Sequence, residues 1–223
     1  MRERTIRSQQ ASEVSSFSLP HPSLRATFSQ GEKEKHKIPP MTNLTFRPAT
    51  LADIPTLVAL VTSAYRGDVS KQGWTTEADM LDGQRIDPEV LRQDIERPRS
   101  RVILAERPDT DGPVLLACVH VAEDDGAGYL GMFSVRPDGQ GNGVGKQVML
   151  EAERYAREDL QLPAMRMTVI DIRDELIAFY ERRGYRRTGI TKPFPYGDER
   201  FGIPKRDDLR FEVLEKVFDG ATA

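Results

Sequence analysis

The sequence has little of what marks several protein classes. It contains a single cysteine, Cys118, which excludes an internal disulfide framework and a multi-cysteine metal site. Its longest nearly apolar run, residues 113–122, is interrupted by His120, whereas a membrane-spanning helix needs about 20 apolar residues. The net charge of −3 provides no positive field for nucleic acid or an anionic membrane. These absences predict a cytoplasmic protein whose partners are neither nucleic acid nor a membrane.

Residues 1–40 differ in composition from the rest of the chain. They include seven serines, carry a charge of +3 and show no apolar period of 2 or 3.6, which predicts a disordered N-terminal tail. Residues 41–223 carry −6 and are predicted to form one domain. The tail is rich in Arg and Ser like a mitochondrial transit peptide, but Glu3 and Glu13 are unlike one. Two alternatives stay open: a mitochondrial targeting segment, or a variable tail before a start at Met41.

Hydrophobic periodicity predicts helices that alternate with strands. Apolar residues at helical spacing predict a helix over 54–65, and Asp87-Pro88 is a typical helix start. Short turns between three apolar runs predict an antiparallel meander. The predicted strands are 44–47, 102–106, 114–122, 129–135, 165–170, 185–188 and 209–217, and the later helices are 146–159 and 175–183. The pattern predicts a mixed α/β (α+β) fold.

A glycine-rich segment stands between a strand and a helix. Gly141, Gly143 and Gly145 alternate at the start of that helix, where free backbone N–H groups and the helix dipole favour an anion such as phosphate. The spacing fits neither a dinucleotide fingerprint nor a Walker loop, since Lys146 stands where the former needs Gly and Gln140 where the latter does. A tight structural turn is the alternative.

Two motifs resemble those of a known family. Gln140-x-x-Gly143-x-Gly145 is similar to the acyl-CoA signature of the GNAT superfamily of N-acyltransferases. The segment 174–185, with Phe179-Tyr180-Glu181 before Gly184 and an aromatic, resembles the second CoA motif of that superfamily. The order of elements over residues 44–217 is similar too. The resemblance implies a GNAT fold: a mixed, mostly antiparallel seven-stranded sheet, splayed in the middle, with helices on both faces. It also implies acetyl-CoA as co-substrate, without a metal.

The resemblance further implies which residues bind the coenzyme. Backbone amides of Phe133, Ser134 and Val135 are expected to hold the pantetheine arm as a neighbouring strand would. The pyrophosphate is expected on the loop residues Gln140, Gly141, Asn142, Gly143, Val144, Gly145 and Lys146. Arg173 stands where many relatives have an Asn that contacts CoA, and an arginine there can reach a phosphate.

The resemblance also places Tyr180 as the general acid that protonates the leaving thiolate; an ordinary buried aromatic is the alternative. Transfer to an amine also needs a base. If Glu123 pairs with Tyr129 across the hairpin, His120 lies opposite Met132, beside the expected thioester. A core histidine is the alternative, with Glu123 acting through water as the competing base. An acyl-enzyme on Cys118 is a further hypothesis, although free cysteines on central strands are usually buried and inert.

Two long polar loops, 67–85 and 192–208, are predicted to line the acceptor site. Their aromatics and charges of both signs suit a small polar amine that also carries a carboxylate. The predicted contacts are Trp74, Glu77, Tyr196, Glu199 and Arg200. The predicted function is transfer of an acetyl group from acetyl-CoA directly to the primary amine of a small molecule. A protein N-terminal or lysine acetyltransferase, and a non-catalytic acyl-CoA sensor, are the alternatives; a homodimer is left open.

Overall fold

The computed structural model describes residues 43–219, so the predicted tail and the predicted domain start at residue 41 lie outside the described residues. The strands within them are β1 (Thr45–Pro48), β2 (Leu81–Asp82), β3 (Ser100–Arg107), β4 (Val114–Asp124), β5 (Ala127–Val135), β6 (Ala164–Ile170), β7 (Arg186–Pro193), β8 (Ile203–Pro204) and β9 (Arg210–Val217). The helices are α1 (Ile54–Tyr65), α2 (Gly67–Ser70), α3 (Pro88–Glu96), α4 (Val144–Arg154) and α5 (Asp174–Glu181). Among these helices, none is long and apolar enough to cross a bilayer.

Seven strands form one sheet in the order β1-β3-β4-β5-β6-β9-β7, and β2 pairs with β8 separately. Every pair in the large sheet is antiparallel except β5 with β6. That parallel pair is joined only at Gly128 with Met165 and Tyr129 with Arg166, after which the two strands diverge. The predicted seven-stranded, mostly antiparallel sheet with a splay in its middle is confirmed.

Helices cover both faces of the sheet. The apolar stripe of α1 and Leu91 of α3 pack in one core cluster, whereas α4 and α5 supply Val148 and Ile177 to the other. Because side chains of a strand alternate between faces, Cys118 of β4 enters the first cluster and Val119 enters the second. The sequence pattern of β4, apolar on both faces, had predicted this double burial.

Helix α3 begins as the sequence predicts. Asp87 accepts hydrogen bonds from the amides of Glu89 and Val90 at 2.9 and 3.1 Å, and Pro88 occupies the first helical position. Both features satisfy or remove N–H groups that would otherwise lack partners.

The predicted register of the β4–β5 hairpin is wrong by one residue. Glu123 pairs with Gly128 rather than Tyr129, and His120 pairs with Gly131 rather than Met132. Asp125 and Gly126, at φ 48° and 72°, form a tight two-residue turn of the kind that hairpins favour, which sets this register. Farther along, Cys118 pairs with Ser134, so β5 carries one extra residue in a bulge that includes Met132 at φ 50°. The bulge lies at the start of the splay.

Candidate active site

The divergence of β5 and β6 opens a cleft with two connected cavities. The outer cavity, of about 610 Å³, is bounded by the glycine loop and α5, and the inner cavity, of about 200 Å³, lies between the diverging strands. The residues that line both cavities are Tyr65, Phe133, Leu176 and Tyr180. The cleft can therefore hold two molecules that meet beside Tyr180.

The glycine loop presents unused backbone donors to the outer cavity. Gly143, at φ 79°, precedes α4, so the first amides of that helix have no intrahelical acceptor. None of the hydrogen bonds among residues 43–219 uses a backbone N–H between Gly141 and Lys146. A Cβ at Gly145 would lie 3.4 Å from the Phe133 ring, so the loop approaches β5 closely. These amides can bind a phosphate, as the sequence predicts.

Gln140 holds the loop rather than offering its side chain to a ligand. Its Oε1 accepts from the amide of Trp74 at 3.0 Å, while its Nε2 donates to Thr75 Oγ1 at 3.0 Å and to the Val135 carbonyl at 3.1 Å. The Gln140 side chain therefore positions the loop, and Gln140 also lines the outer cavity, so its contact with the coenzyme stays a prediction. Asn142 and the buried Val144 line a different, smaller cavity, which leaves only their backbone for the coenzyme.

The open edge of β5 can be assigned from its ladder with β4. The Arg136 amide donates to the Leu116 carbonyl at 2.8 Å, and Ser134 pairs with Cys118 two residues back in the same register. Since successive amides point to opposite edges, that of Ser134 faces β4 and that of Val135 faces the splay. Ser134 is also buried, with its hydroxyl donating to the Met132 carbonyl at 3.1 Å. The predicted coenzyme contact of Ser134 thus has the wrong direction, whereas that of Val135 has the right one.

Tyr180 stands at the junction with a free hydroxyl. Its ring packs in edge contact with Phe179 and Tyr185, with centroids 5.3 and 5.9 Å apart. Among residues 43–219, its Oη forms no hydrogen bond. Burial raises the pKa of Tyr180 well above its usual 10, so the hydroxyl stays protonated at neutral pH. Tyr180 is thus suited to donate a proton and not to accept one.

His120 borders a third cavity, the side cavity, of about 530 Å³, which shares Tyr129, Gly131 and Met132 with the inner cavity. Ser100 Oγ donates to the Asp94 carbonyl at 2.6 Å, so it accepts from His120 Nε2–H at 2.8 Å. Nδ1 then carries the lone pair, 3.7 Å from Asp94 Oδ2. Burial lowers the pKa of His120 despite Asp94, which leaves the imidazole neutral at pH 7. The same side chain is hydrogen-bonded in the core and able to take a proton.

The predicted acceptor residues are distributed over the three cavities. Glu77 lines the inner cavity and Arg200 the side cavity, but Trp74 lines the outer one, 5.2 Å from Phe179 between ring centroids. Tyr196 and Glu199 line none of the three. The Tyr196 hydroxyl instead accepts from the Leu209 amide at 2.6 Å. Its hydroxyl therefore holds the loop, and its contact with the substrate stays a prediction.

Glu77 is the centre of a buried arginine cluster. Its carboxylate lies 2.6 Å from Arg66 Nη1, 3.5 Å from Arg85 Nε and 3.5 Å from Arg173 Nη1. Arg173 therefore lies in the inner cavity, on the acceptor side of Tyr180, and does not line the outer cavity where a coenzyme phosphate was expected to meet it.

The sequence profile of the acetyltransferase (GNAT) family matches residues 71–185. The chain belongs to the GNAT family of acetyltransferases. This acetyltransferase is accordingly an enzyme that uses acetyl-CoA to acetylate an amine. A search of curated proteins found no match.

Solved structures agree in fold with this acetyltransferase. The ribosomal-protein-alanine N-acetyltransferase of Brucella melitensis matches with a TM-score of 0.56 and 18% identity, over 78% of this chain and 99% of that one. A GNAT-family acetyltransferase of Streptococcus pneumoniae matches at 0.55 and 17%, over 79% and 100%. A variant of the spermidine N-acetyltransferase of Vibrio cholerae matches at 0.56 and 14%, over 78% and 93%. At such identities the likeness shows the fold alone.

Two other catalytic hypotheses fit the acetyltransferase poorly. Glu123 pairs with Arg99, and its carbonyl accepts from Arg97 at 2.6 Å; the residue lines none of the three cavities. Cys118 lines none of them either, and burial raises the pKa of its thiol to about 12. The geometry therefore disfavours Glu123 as base and an acyl-enzyme on Cys118.

Three further residues of the cleft lie in or beside the two loops that were predicted to form the acceptor site. Tyr65 lines both cavities and donates its hydroxyl to the Phe133 carbonyl; Arg85 and Phe201 line both the inner and the side cavity. Arg85 and Phe201 belong to the two long loops that were predicted to form the acceptor site. Tyr65 is the last residue of α1, just before the first of these loops.

Proposed function

We propose that this acetyltransferase transfers the acetyl group directly to the primary amine of a small polar molecule. The observation that supports it is the pair of cavities that join at Tyr180, one large and bounded by free amides, the other of only about 200 Å³. A cavity of that size suits a small acceptor, whereas a polypeptide substrate would more readily use an open groove.

In this proposal acetyl-CoA occupies the outer cavity. The amides from Gly141 to Lys146 bind the pyrophosphate, and the Val135 amide at the open edge of β5 binds the pantetheine arm. The thioester then lies at the junction beside Phe133 and Tyr180. Because the folded domain is mildly acidic overall, attraction of the phosphates depends on these local donors.

The neutral amine attacks the thioester carbonyl carbon from the inner cavity. A C–N bond forms, the tetrahedral intermediate collapses, and the C–S bond breaks. Tyr180 gives its proton to the leaving sulfur, so that neutral CoA thiol departs. The ammonium proton passes to His120 Nδ1 through water in the side cavity; His120 then releases a proton to solvent and Tyr180 takes one up, which restores both groups.

A panel of amines tests the proposed substrate class. Release of CoA thiol from acetyl-CoA is measured with small polar amines, with peptides that have free N-termini, and with lysine-containing peptides. Release with small amines alone is expected. Faster release with peptides would favour the protein acetyltransferase, and CoA binding without amine-dependent release would favour a sensor.

Replacement of His120 by Gln tests its role as base through the pH profile. As the pH is lowered, the wild-type kcat/KM is expected to fall first because the amine substrate becomes protonated. Below pH 6.5 it should fall more steeply, because His120, whose pKa is lowered, then takes up a proton as well. His120→Gln should lower the rate and remove this second decline. A lower rate with the steep acid limb retained would show that His120 is only structural.

A further inference from the structure

The inner cavity carries more positive than negative charge. Arg85, Arg173 and the single carboxylate of Glu77 line it, which leaves one positive charge in excess, and Arg66 adds a second from outside the lining by pairing with the same carboxylate. The side chains of Arg66, Glu77 and Arg173 are each less than 9% exposed, and that of Arg85 is 29% exposed. Among residues 43–219, the other charge-bearing types in the lining of this cavity are tyrosines. Burial raises the pKa of Tyr65 and Tyr180, so these two are neutral.

The guanidinium groups also keep unused donors. Arg66 Nε and Nη2 are buried without a hydrogen-bond partner among the described residues. Among the described residues, the Arg173 guanidinium forms only a long contact of 3.5 Å with Glu77, and Arg85 makes an equally long ion pair. Leaving buried charges without compensation is costly, so the arrangement favours a ligand that supplies negative charge.

The position of the two lining arginines fits one end of an acceptor. Arg85 and Arg173 both line the inner cavity, where Arg85 also lies 4.8 Å from the centroid of the Tyr65 ring. Arg85 also lines the side cavity and does not line the outer cavity, so it lies away from the coenzyme. Apolar residues complete the wall, among them Leu81, Met167, Phe194 and Phe211.

We infer that the acceptor amine carries a carboxylate, which binds to Arg85 and Arg173 while the amine faces the thioester. The planar guanidinium donates two parallel N–H bonds to a carboxylate, and the small cavity favours this compact anion. Glu77 holds the arginines in place and is already surrounded by them, so it is not the group that binds the amine. This inference rests on the proposed function and names its substrate class.

The test compares each amine as a free acid and as its carboxamide. Small α-amino acids and their carboxamides are assayed by thiol release with the wild type and with Arg85→Met, which keeps length but removes charge and donors. The wild type is expected to prefer the acid. In Arg85→Met, the ratio of kcat/KM for the acid to that for the carboxamide should fall at least about 30-fold. Comparing the acid-to-amide ratio between the two enzymes cancels the different ionisation of the two amines.

Two further variants separate charge loss from general damage. Arg92→Met removes an exposed arginine of α3 that pairs with Glu89 at 3.2 Å, and should leave the ratio unchanged. Arg85→Lys keeps the charge without the planar fork and should keep part of the preference for the acid. Thermal unfolding of all variants verifies that each is folded.

The outcomes distinguish this inference from the proposed function. If the acid-to-carboxamide ratio is the same in the wild type and in Arg85→Met, the carboxylate assignment is overturned while the small-amine function stands. If no amine stimulates thiol release, the proposed function fails. Calorimetric titration of the CoA-bound enzyme with the acid and with the carboxamide then tests whether the inner cavity binds a carboxylate. Tighter binding of the acid than of the amide, lost in Arg85→Met, would support the inference; equal binding would overturn it.

Discussion

Tyr180→Phe is expected to lower kcat by about 10²- to 10⁴-fold, the usual contribution of a general acid or base. The affinity for CoA should be nearly unchanged, because the substitution keeps the ring that packs against Phe179 and Tyr185. Without the hydroxyl, the sulfur must leave as a thiolate or take its proton from water. Steady-state thiol release and equilibrium binding of CoA provide the two measurements.

Tyr185→Phe is the matched control. Tyr185 is another buried tyrosine, 5.9 Å from Tyr180 between ring centroids, but it lines neither the outer nor the inner cavity. Its hydroxyl is buried without a hydrogen-bond partner among the described residues, so its removal should leave kcat intact. An equal loss in both variants would mean that Tyr180 acts only by packing.

The pH profile gives an independent check on Tyr180. A general acid must be protonated, and its rate contribution is lost as the pH rises through its pKa. Because burial raises the pKa of Tyr180 well above 10, that loss is expected only at strongly alkaline pH. A decline in kcat with an apparent pKa near 9 that persists in Tyr180→Phe would belong to another group, whereas one that is absent in Tyr180→Phe would support Tyr180 as the acid and contradict only the raised pKa.

The fold was predictable because local patterns and global topology agree in this chain. Strand β4 is apolar on both faces and is indeed buried by helices on both sides. The register of β4 with β5 was not predictable in the same way. It depends on a two-residue turn at Asp125-Gly126 inside a longer polar segment, and on an extra residue at Met132 that no periodicity marks.

The coenzyme half and the acceptor half of the candidate site were predicted from the sequence to different extents. The glycine loop was predicted because the glycines that its backbone conformation requires alternate within one short segment directly before a helix. The arginine cluster was predicted only in part, because Glu77 and Arg85 belong to a loop predicted to form the acceptor site, whereas Arg173 follows Glu77 by 96 residues and meets it only through the fold. Arg173 was consequently placed on the coenzyme, whereas it faces the acceptor cavity.

Gly143→Asp should weaken CoA binding between about tenfold and several hundredfold, the range expected for a new carboxylate about 4 Å from a phosphate near the protein surface. Gly143 directly precedes α4, and a Cβ built there meets no atom within 4 Å. The added side chain would therefore enter space beside the free amides instead of disturbing the core. CoA affinity is measured by calorimetry at low and high salt, and the loss should shrink as salt screens the repulsion.

Gly143→Asn separates charge from shape. Asn has nearly the shape of Asp, and both tolerate the left-handed backbone that the φ of 79° requires, so their strain should be similar. A negative charge at the start of α4 favours the helix dipole, hence the Asp variant should unfold at no lower temperature than the Asn variant. Relative to the Asn variant, the Asp variant is therefore expected to be at least as stable but to bind CoA more weakly. Equal CoA affinity in the Asp and Asn variants would show that the phosphates bind elsewhere, and that the alternating glycines serve only the turn.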